Sequence, residues 1–420
     1  MQGAVHVVGA GLSGLAAAVD LVDTGRPVVV HEAAAHAGGR CRSYHDTQLG
    51  MTIDNGNHLA LSGNRAALGF LDRIGGRSAV AEAPRAEYPF VDLDTGERWT
   101  LHPNPGRVPW WVADPRRRVP GSRIGDYAEI LGLLVADKGT KITDVVRCEG
   151  LLYERLWRPV LLAALNIDPK DADAVLAGQV LRETFVAGGR ACRPVIAEDG
   201  LSKAFVDPAL RYLAERGAAV RYGRCLQRLA FNRNRVAGLA FGDDVILLGP
   251  EDKVVLAVPS RAAAALVPGL DAPQECRGIA NIHFKARCPP SQPRMTGVVN
   301  GLSDWIFAYP GRVSVTVSGS DLAELGREEL ARRIWSEVSY VTGLYMAGMS
   351  DALPPWQVIR ERRATFAATP AAATSRSGCR TEFRNLFVAG DWTDTGLPAC
   401  IEGAVRSGNA ASTAVIEAMR

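Results

Sequence analysis

The sequence has no pair of cysteines spaced C-x-x-C, although it contains eight of them: Cys41, Cys148, Cys192, Cys225, Cys276, Cys288, Cys379 and Cys400. Their scatter argues against a zinc site and against a disulfide framework, so they read as reduced, mostly buried thiols of a cytosolic protein. The seven histidines show no ligand spacing either, and no metal is expected. No uninterrupted apolar run reaches the length of a membrane span. The apolar N-terminus carries no basic leader and no cleavage-like site, so a signal peptide is not expected. Charge is nearly balanced: 48 Lys and Arg against 45 Asp and Glu leave +3, too mild to imply nucleic acid as a partner. There is no internal repeat and no low-complexity linker, although 367–374 is alanine-rich. What remains is 420 residues, 47% hydrophobic and 22% charged, a globular composition with length enough for two packed domains.

The first forty residues carry the clearest signal. Residues 4–8, Ala-Val-His-Val-Val, read as a short buried strand of the parallel-sheet type. Gly9, Gly11 and Gly14 follow in the spacing G-x-G-x-x-G, with Leu12 and Ser13 between them. Residues 15–24 read as a helix stopped by Gly25, and 27–30 as a second strand leading to Glu32 and Ala33. Gly9 permits the tight turn, Gly11 lets a pyrophosphate approach the backbone, and Gly14 lets the helix pack on the strand. The helix N-terminus offers free N–H groups and a positive dipole end to phosphates. A carboxylate at Glu32 accepts both hydroxyls of an adenosine ribose and repels a 2′-phosphate, which disfavours NADP. Alone the glycine spacing is weak evidence. Here the strand, helix, second strand and acid all fall in place.

NAD and FAD share that fingerprint, and the next residues separate them. Gly38-Gly39-Arg40 after the second strand resembles the flavoprotein superfamily of amine oxidases and carotenoid desaturases, where these residues pack against the diphosphate and flavin. FAD is therefore the expected cofactor. Near the far end, 385–390 reads as a buried strand running into Gly390-Asp391, which resembles the second FAD motif of the same superfamily. A turn at 395–398 leads to a helix over 401–419. Ile401 and Ala404 lie on its first turns, and the small residues of Glu402-Gly403-Ala404 and Ser407-Gly408 are expected to let a flavin ring approach. Residues 253–258, ending at Val258, resemble the segment that returns the chain to the FAD domain.

The expected fold class is α/β: a discontinuous Rossmann-type FAD-binding domain with a parallel sheet (1–75, 195–278 and 378–420), plus an α+β substrate domain with a mixed or antiparallel sheet (76–194 and 279–377). Hairpins are expected over 87–101, around Asp94-Thr95-Gly96, and over 305–318, around Pro310-Gly311, with 281–286 as a partner strand. Helical periodicity marks 126–135, 144–165, 171–186 and 327–342. Within 103–186, a helical part and candidate membrane-facing part, Trp110 and Trp111 sit beside proline-rich turns and precede Arg116-Arg117-Arg118. Two readings stay open for them: aromatics and cations at a headgroup layer, or tryptophans folded into the core.

Several longer stretches resemble the hydroxysqualene dehydroxylases of bacterial hopanoid synthesis: Asp54-Asn55-Gly56-Asn57-His58, residues 151–159, Gly188-Gly189-Arg190-Ala191-Cys192-Arg193-Pro194, and 389–398. The likeness runs over essentially the whole chain, with Cys400 standing where many relatives have a small polar residue. It implies a reductive dehydroxylation, in which hydroxysqualene and reduced FAD give squalene, oxidised FAD and water. Protonating the allylic hydroxyl lets water leave, and hydride from the flavin quenches the cation inside an apolar tunnel. Asn57 and His58 are expected beside the flavin. His58 and Asp54 are the candidate acids, His58 first because its ordinary pKa lies near working pH. A histidine merely hydrogen-bonded to backbone beside the cofactor remains the open alternative. Cys192 and Arg193 line the cavity or cap a turn, and Glu402 is expected to orient the cofactor.

The likeness further implies a small lipid substrate, an external electron donor, since no second nucleotide fingerprint is evident, and a cytoplasmic protein peripheral on the inner face of the bacterial membrane. The competing enzyme reading is a carotenoid or phytoene desaturase-type oxidoreductase acting on a polyisoprenoid. An amine oxidase is disfavoured because no lysine is placed where that family holds a flavin-proximal water. A flavin-free prenyl-binding escort protein is disfavoured by the complete set of FAD motifs.

Overall fold

In the computed structural model, which describes residues 3–319, 325–344 and 352–420, the strand Val5–Val8 is buried along its whole length at the centre of a five-stranded parallel sheet. Val28–His31 pairs with it on one side and Lys253–Leu256 on the other. Ala219–Arg221 and Leu386–Val388 complete the two edges. A parallel strand covered on both faces has no polar side to show, which is why these segments are runs of valine and leucine instead of alternations. One face carries the helices Leu12–Val22, Asp207–Glu215 and Ile401–Glu417. The other carries a three-stranded antiparallel sheet, Arg228–Asn232, Arg235–Phe241 and Asp244–Leu247, whose Leu239 and Phe241 join a core with Val8 and Leu256.

The second sheet has seven strands in the order Trp356–Phe366, Cys276–Phe284, Arg312–Ser318, Trp305–Tyr309, Met295–Val299, Tyr88–Asp92 and Arg98–Leu101. All neighbours are antiparallel except Met295–Val299 against Tyr88–Asp92. Both expected hairpins are present, and the expected partner strand is longer than its reading, starting at Cys276. Helix Arg327–Thr342 packs its Ile334 and Trp335 against Ile282, Phe284 and Val315 on one face. On the other, Phe90, Trp99 and Phe307 share a core with Leu156 and Leu161 of a helical lobe.

The helical readings hold with two changes of geometry. Ile124–Val135 is a run of 3-10 turns whose buried residues, Tyr127, Ile130 and Leu133, recur every third position, the period of that helix. Over 144–165 the helix begins later, at residue 151, and runs through a π turn at Tyr153–Trp157 into Arg158–Leu165. Pro159, without an N–H to give, sits where the ladder changes type. Among the described residues no helix is long and apolar enough to cross a membrane.

Two buried histidines link this packing to pH. His6 Nδ1 and His31 Nε2 lie 3.1 Å apart on adjacent strands, and His31 stacks on Phe241. Burial, reinforced by His6 and Arg221, lowers His31 to about 4. His283, bonded to Ser314 Oγ at 2.7 Å, is lowered to about 3 by burial and by Arg312. His31 and His283 are neutral in the fold and regain a value of about 6.5 when unfolded, so the stability they contribute is complete above pH 6.5 and is lost as pH falls toward 4 and then 3. We expect urea unfolding to show that decline, and His31→Phe to flatten part of it. A pH slope unchanged by the substitution would contradict this assignment.

Candidate functional site

Three glycines set the first wall, and they do so differently. A Cβ at Gly9, where φ is +106°, would lie 2.2 Å from the Ala257 carbonyl oxygen, and one at Gly14 would lie 1.9 Å from that of Gly9. Both positions are closed by backbone. A Cβ at Gly11 would meet no protein atom within 4 Å. Gly11 is the N-cap of helix Leu12–Val22, whose first turn has neither a side-chain cap nor an acid. Open space therefore lies before a helix N-terminus that Leu12 and Ser13 begin, which fits a diphosphate. Gly38 is bridged to Gly11 and donates its N–H to Ala10 O at 2.8 Å, while a Cβ on Gly39 would sit 3.3 Å from Gly11 Cα. The second glycine pair thus lies along the first loop. Glu32 accepts from Ala10 N at 2.7 Å and Ala34 N at 2.8 Å, one bond per oxygen, beside the exposed Ala33. Each oxygen keeps a lone pair for a ribose hydroxyl.

The far end of the chain supplies the facing wall. Arg40 Nη2 meets Asp391 Oδ1 at 2.7 Å, and its other terminal nitrogen donates to Ala364 O. The carboxylate beside it raises the guanidinium further above its ordinary value, so Arg40 stays charged. Trp392 Nε1 donates to Val258 O at 2.9 Å, tying the Gly390-Asp391 loop to the end of the middle strand. Gly390 N donates to Ser407 Oγ at 2.9 Å. Behind the loop, buried Arg376 directs Nε at the carbonyls of Trp392 and Thr393, both at 3.1 Å. Burial lowers its pKa, with acidic neighbours opposing. Cys400 caps helix Ile401–Glu417 by accepting from Gly403 N at 3.3 Å, the task a serine would perform, and burial pushes its thiol up to about 12.

Several expected roles are reassigned by this packing. Gly408 serves helix contact, since a Cβ there would fall 2.4 Å from Ser13 O, and Ser407 holds the Gly390 loop. Ile401 and Ala404 are half-buried on the first turn of helix Ile401–Glu417. Glu402 caps helix Arg65–Ile74, accepting from Ala66 N at 3.1 Å and Ala67 N at 2.8 Å, with Arg406 Nε at 2.8 Å. Cys192 is buried and Arg193 pairs with Glu82 at 2.5 Å, so both belong to a packed turn. Trp111 is folded into the core, edge-on to Tyr127 at 5.3 Å, whereas Trp110 is 52% exposed.

The two candidate acids sit in unlike surroundings. Asp54 is buried and engaged: Oδ1 accepts from Ser43 Oγ at 2.6 Å and Leu201 N at 2.8 Å, and Oδ2 lies 3.8 Å from Arg312. Burial raises its pKa against those partners. Asn57 is gripped by Asn281, whose Oδ1 receives its backbone N–H at 3.1 Å and its amide at 3.3 Å, and Asn57 Oδ1 is buried without a partner. His58, half-buried near Arg40 and Asp391, is lowered to about 4, first by burial and then by Arg40. The ordinary histidine value that favoured it from sequence does not survive in this environment. It is neutral at pH 7.

Gly11 and Gly14 give a paired test of the cradle. Gly11→Ala should leave unfolding of the cofactor-free chain unchanged and weaken dinucleotide binding at least about tenfold, because its methyl enters the ligand space alone. Gly14→Ala should lower stability by about 1–3 kcal/mol, because its methyl meets backbone. Urea unfolding and flavin titration read the two effects separately. Equal behaviour of the two variants would remove the cradle.

The family model for flavin containing amine oxidoreductases matches residues 12–416. A hydroxysqualene dehydroxylase from Rhodopseudomonas palustris is 53% identical over 100% of both chains, and one from Sinorhizobium fredii is 50% identical over 97% of both. A probable zeta-carotene desaturase from Synechococcus elongatus is similar at 22%, over 99% of this chain and 98% of its own. Among solved structures, cyclohexylamine oxidase from Brevibacterium oxydans superposes with a TM-score of 0.69 at 16% identity, covering 100% of each chain, which shows a shared fold. The chain belongs to the flavin containing amine oxidoreductases and, within them, to the hydroxysqualene dehydroxylase family.

Proposed function

We propose that this chain removes the hydroxyl of hydroxysqualene reductively, giving squalene and water, with FAD as its cofactor. The likeness to hydroxysqualene dehydroxylases over the full length of the chain carries the reading. Gly9, Gly11 and Gly14, with the first-turn N–H groups of Leu12 and Ser13, would hold the diphosphate. Glu32 would hold the adenosine ribose, and Ala33 would lie along it. Gly38, Gly39, Arg40 and Asp391 would flank the diphosphate and ribityl chain, and Asn57, Val258, Ile401 and Ala404 would border the ring. When bound and reduced, FAD supplies the two electrons as a hydride equivalent.

The chain's own groups must activate the leaving hydroxyl and keep water out. His58 is the residue we assign to the proton, in place of Asp54, whose Oδ1 already accepts two hydrogen bonds. A site value of about 4 leaves roughly one imidazole in a thousand protonated at pH 7, a scarce but strong acid. Its protonated fraction grows about tenfold for each unit of falling pH until the value is reached. A polyisoprenoid alcohol dissolves in bilayers, so the reading places the working protein at the inner face of a cytoplasmic membrane, reduced by an external donor.

Anaerobic incubation with hydroxysqualene and chemically reduced FAD should yield squalene by mass spectrometry. No squalene in that assay, together with a double bond gained by a polyisoprenoid when oxidised FAD and an external electron acceptor are supplied instead, would favour the desaturase reading. In the same assay kcat/KM should rise as pH falls from 8 toward 5, and His58→Ala should flatten that rise and lower kcat at least about a hundredfold with FAD retained. Unchanged turnover and pH profile in the variant would remove His58 as the acid.

A further inference from the structure

Among the described residues, eleven large hydrophobic side chains are exposed, and seven of them fall between 108 and 186. Scattered apolar residues need no explanation, but concentration in one lobe does. The most exposed pair near the start of that lobe, Val108 at 74% and Trp110 at 52%, lies on a loop in which 105–110 are all exposed.

That loop is built to stay out. Asn104, 2% exposed, lies at its base and donates its amide to Gly106 O at 3.0 Å and Val108 O at 2.9 Å. Its Oδ1 accepts from Trp111 N at 3.3 Å. Gly189 N and Arg190 N hold the carbonyls of Asn104 and Pro105, at 2.8 Å and 3.2 Å. Gly188 fits so closely that a Cβ there would lie 2.5 Å from Gly106 O. A free loop would fold Trp110 inward, as happens to Trp111 one residue later. The buried amide removes that option.

The charge beside the loop is mostly positive, although Arg116 pairs with Asp114 at 3.2 Å. Residues 103–123 hold five arginines, 107, 116, 117, 118 and 123, against the single acid Asp114, in a chain whose total is only +3. The Arg117 guanidinium sits 4.6 Å above the Trp110 ring. Val186 is exposed two residues before Gly188, which meets the same loop, and Leu151 packs on Gly121. A rigid apolar tip with a tryptophan, ringed by arginines, matches an anionic bilayer surface: acyl region for Val108 and Trp110, headgroups for the cations.

We propose that the Asn104-tied loop, with Val108 and Trp110 at its tip and Arg107 and Arg116 beside them, is the element that docks this protein on anionic lipid. It rests on the reading of an oily substrate only for its purpose, since the surface is argued from exposure and charge. Flotation with phosphatidylglycerol-containing vesicles, without substrate, tests it directly. The wild-type holoprotein should float with anionic vesicles and much less with phosphatidylcholine alone. Val108→Asp with Trp110→Asp should lower the bound fraction at least about tenfold, with unfolding temperature, flavin content and turnover of detergent-dispersed substrate unchanged. Arg107→Glu with Arg116→Glu should erase the preference for anionic lipid. The proposal is overturned if the aspartate variant floats like wild type, if wild type binds neither vesicle, or if sedimentation shows that these substitutions dissolve a dimer and leave lipid binding intact. Vesicle binding without squalene formation would refute the reaction and leave the docking surface standing.

Discussion

Three backbones approach one another at Gly9, Gly14 and Gly408, closer than any side chain would allow. The first helix rests on its own strand because Gly14 has no Cβ to strike Gly9 O, and the last helix rests on the first because Gly408 has none to strike Ser13 O. Through those contacts the Gly390-Asp391 loop is delivered opposite Gly38-Gly39-Arg40, and the 2.7 Å pair of Arg40 with Asp391 closes the gap. The two halves of the cofactor site are some 350 residues apart in sequence. Close helix-on-helix contact at Gly408 accompanies a packing that brings them within one hydrogen bond.

How much of this was legible in the sequence follows from how local each cause is. Gly9, Gly11, Gly14 and Glu32 act within one strand–helix–strand unit, so their spacing reveals them. The Arg40–Asp391 pair could be inferred only as two separate motifs. Arg376 and Asn281 were not legible at all, because their partners are set by tertiary packing, and a lone arginine or asparagine carries no local signature. Glu402 was misread for the same reason: its carboxylate serves a helix start more than 330 residues earlier. The small sheet over 228–247 escaped notice because its first turn uses Arg233 at φ 53° in place of a glycine.

The chemistry was less legible than the fold. A histidine read from sequence carries its ordinary pKa, whereas His58 sits beside Arg40 in a partly closed site and is displaced to about 4. Neutral imidazoles recur through this protein, at His31 and His283 as well, each created by burial among arginines. In the proposed reaction His58, the residue assigned to the proton, would hold that proton weakly.

The order of the central sheet also bears on how the protein is made. Its edge strand Leu386–Val388 and the helix Ile401–Glu417 leave the ribosome after every other described element, yet one pairs with Lys253–Leu256 and the other lies on Leu12–Val22. During synthesis the first glycine loop is therefore present for most of the chain's emergence without its facing wall. The site cannot close until residues 386–417 are made, and a chain lacking them would keep a legible nucleotide fingerprint and only half a site.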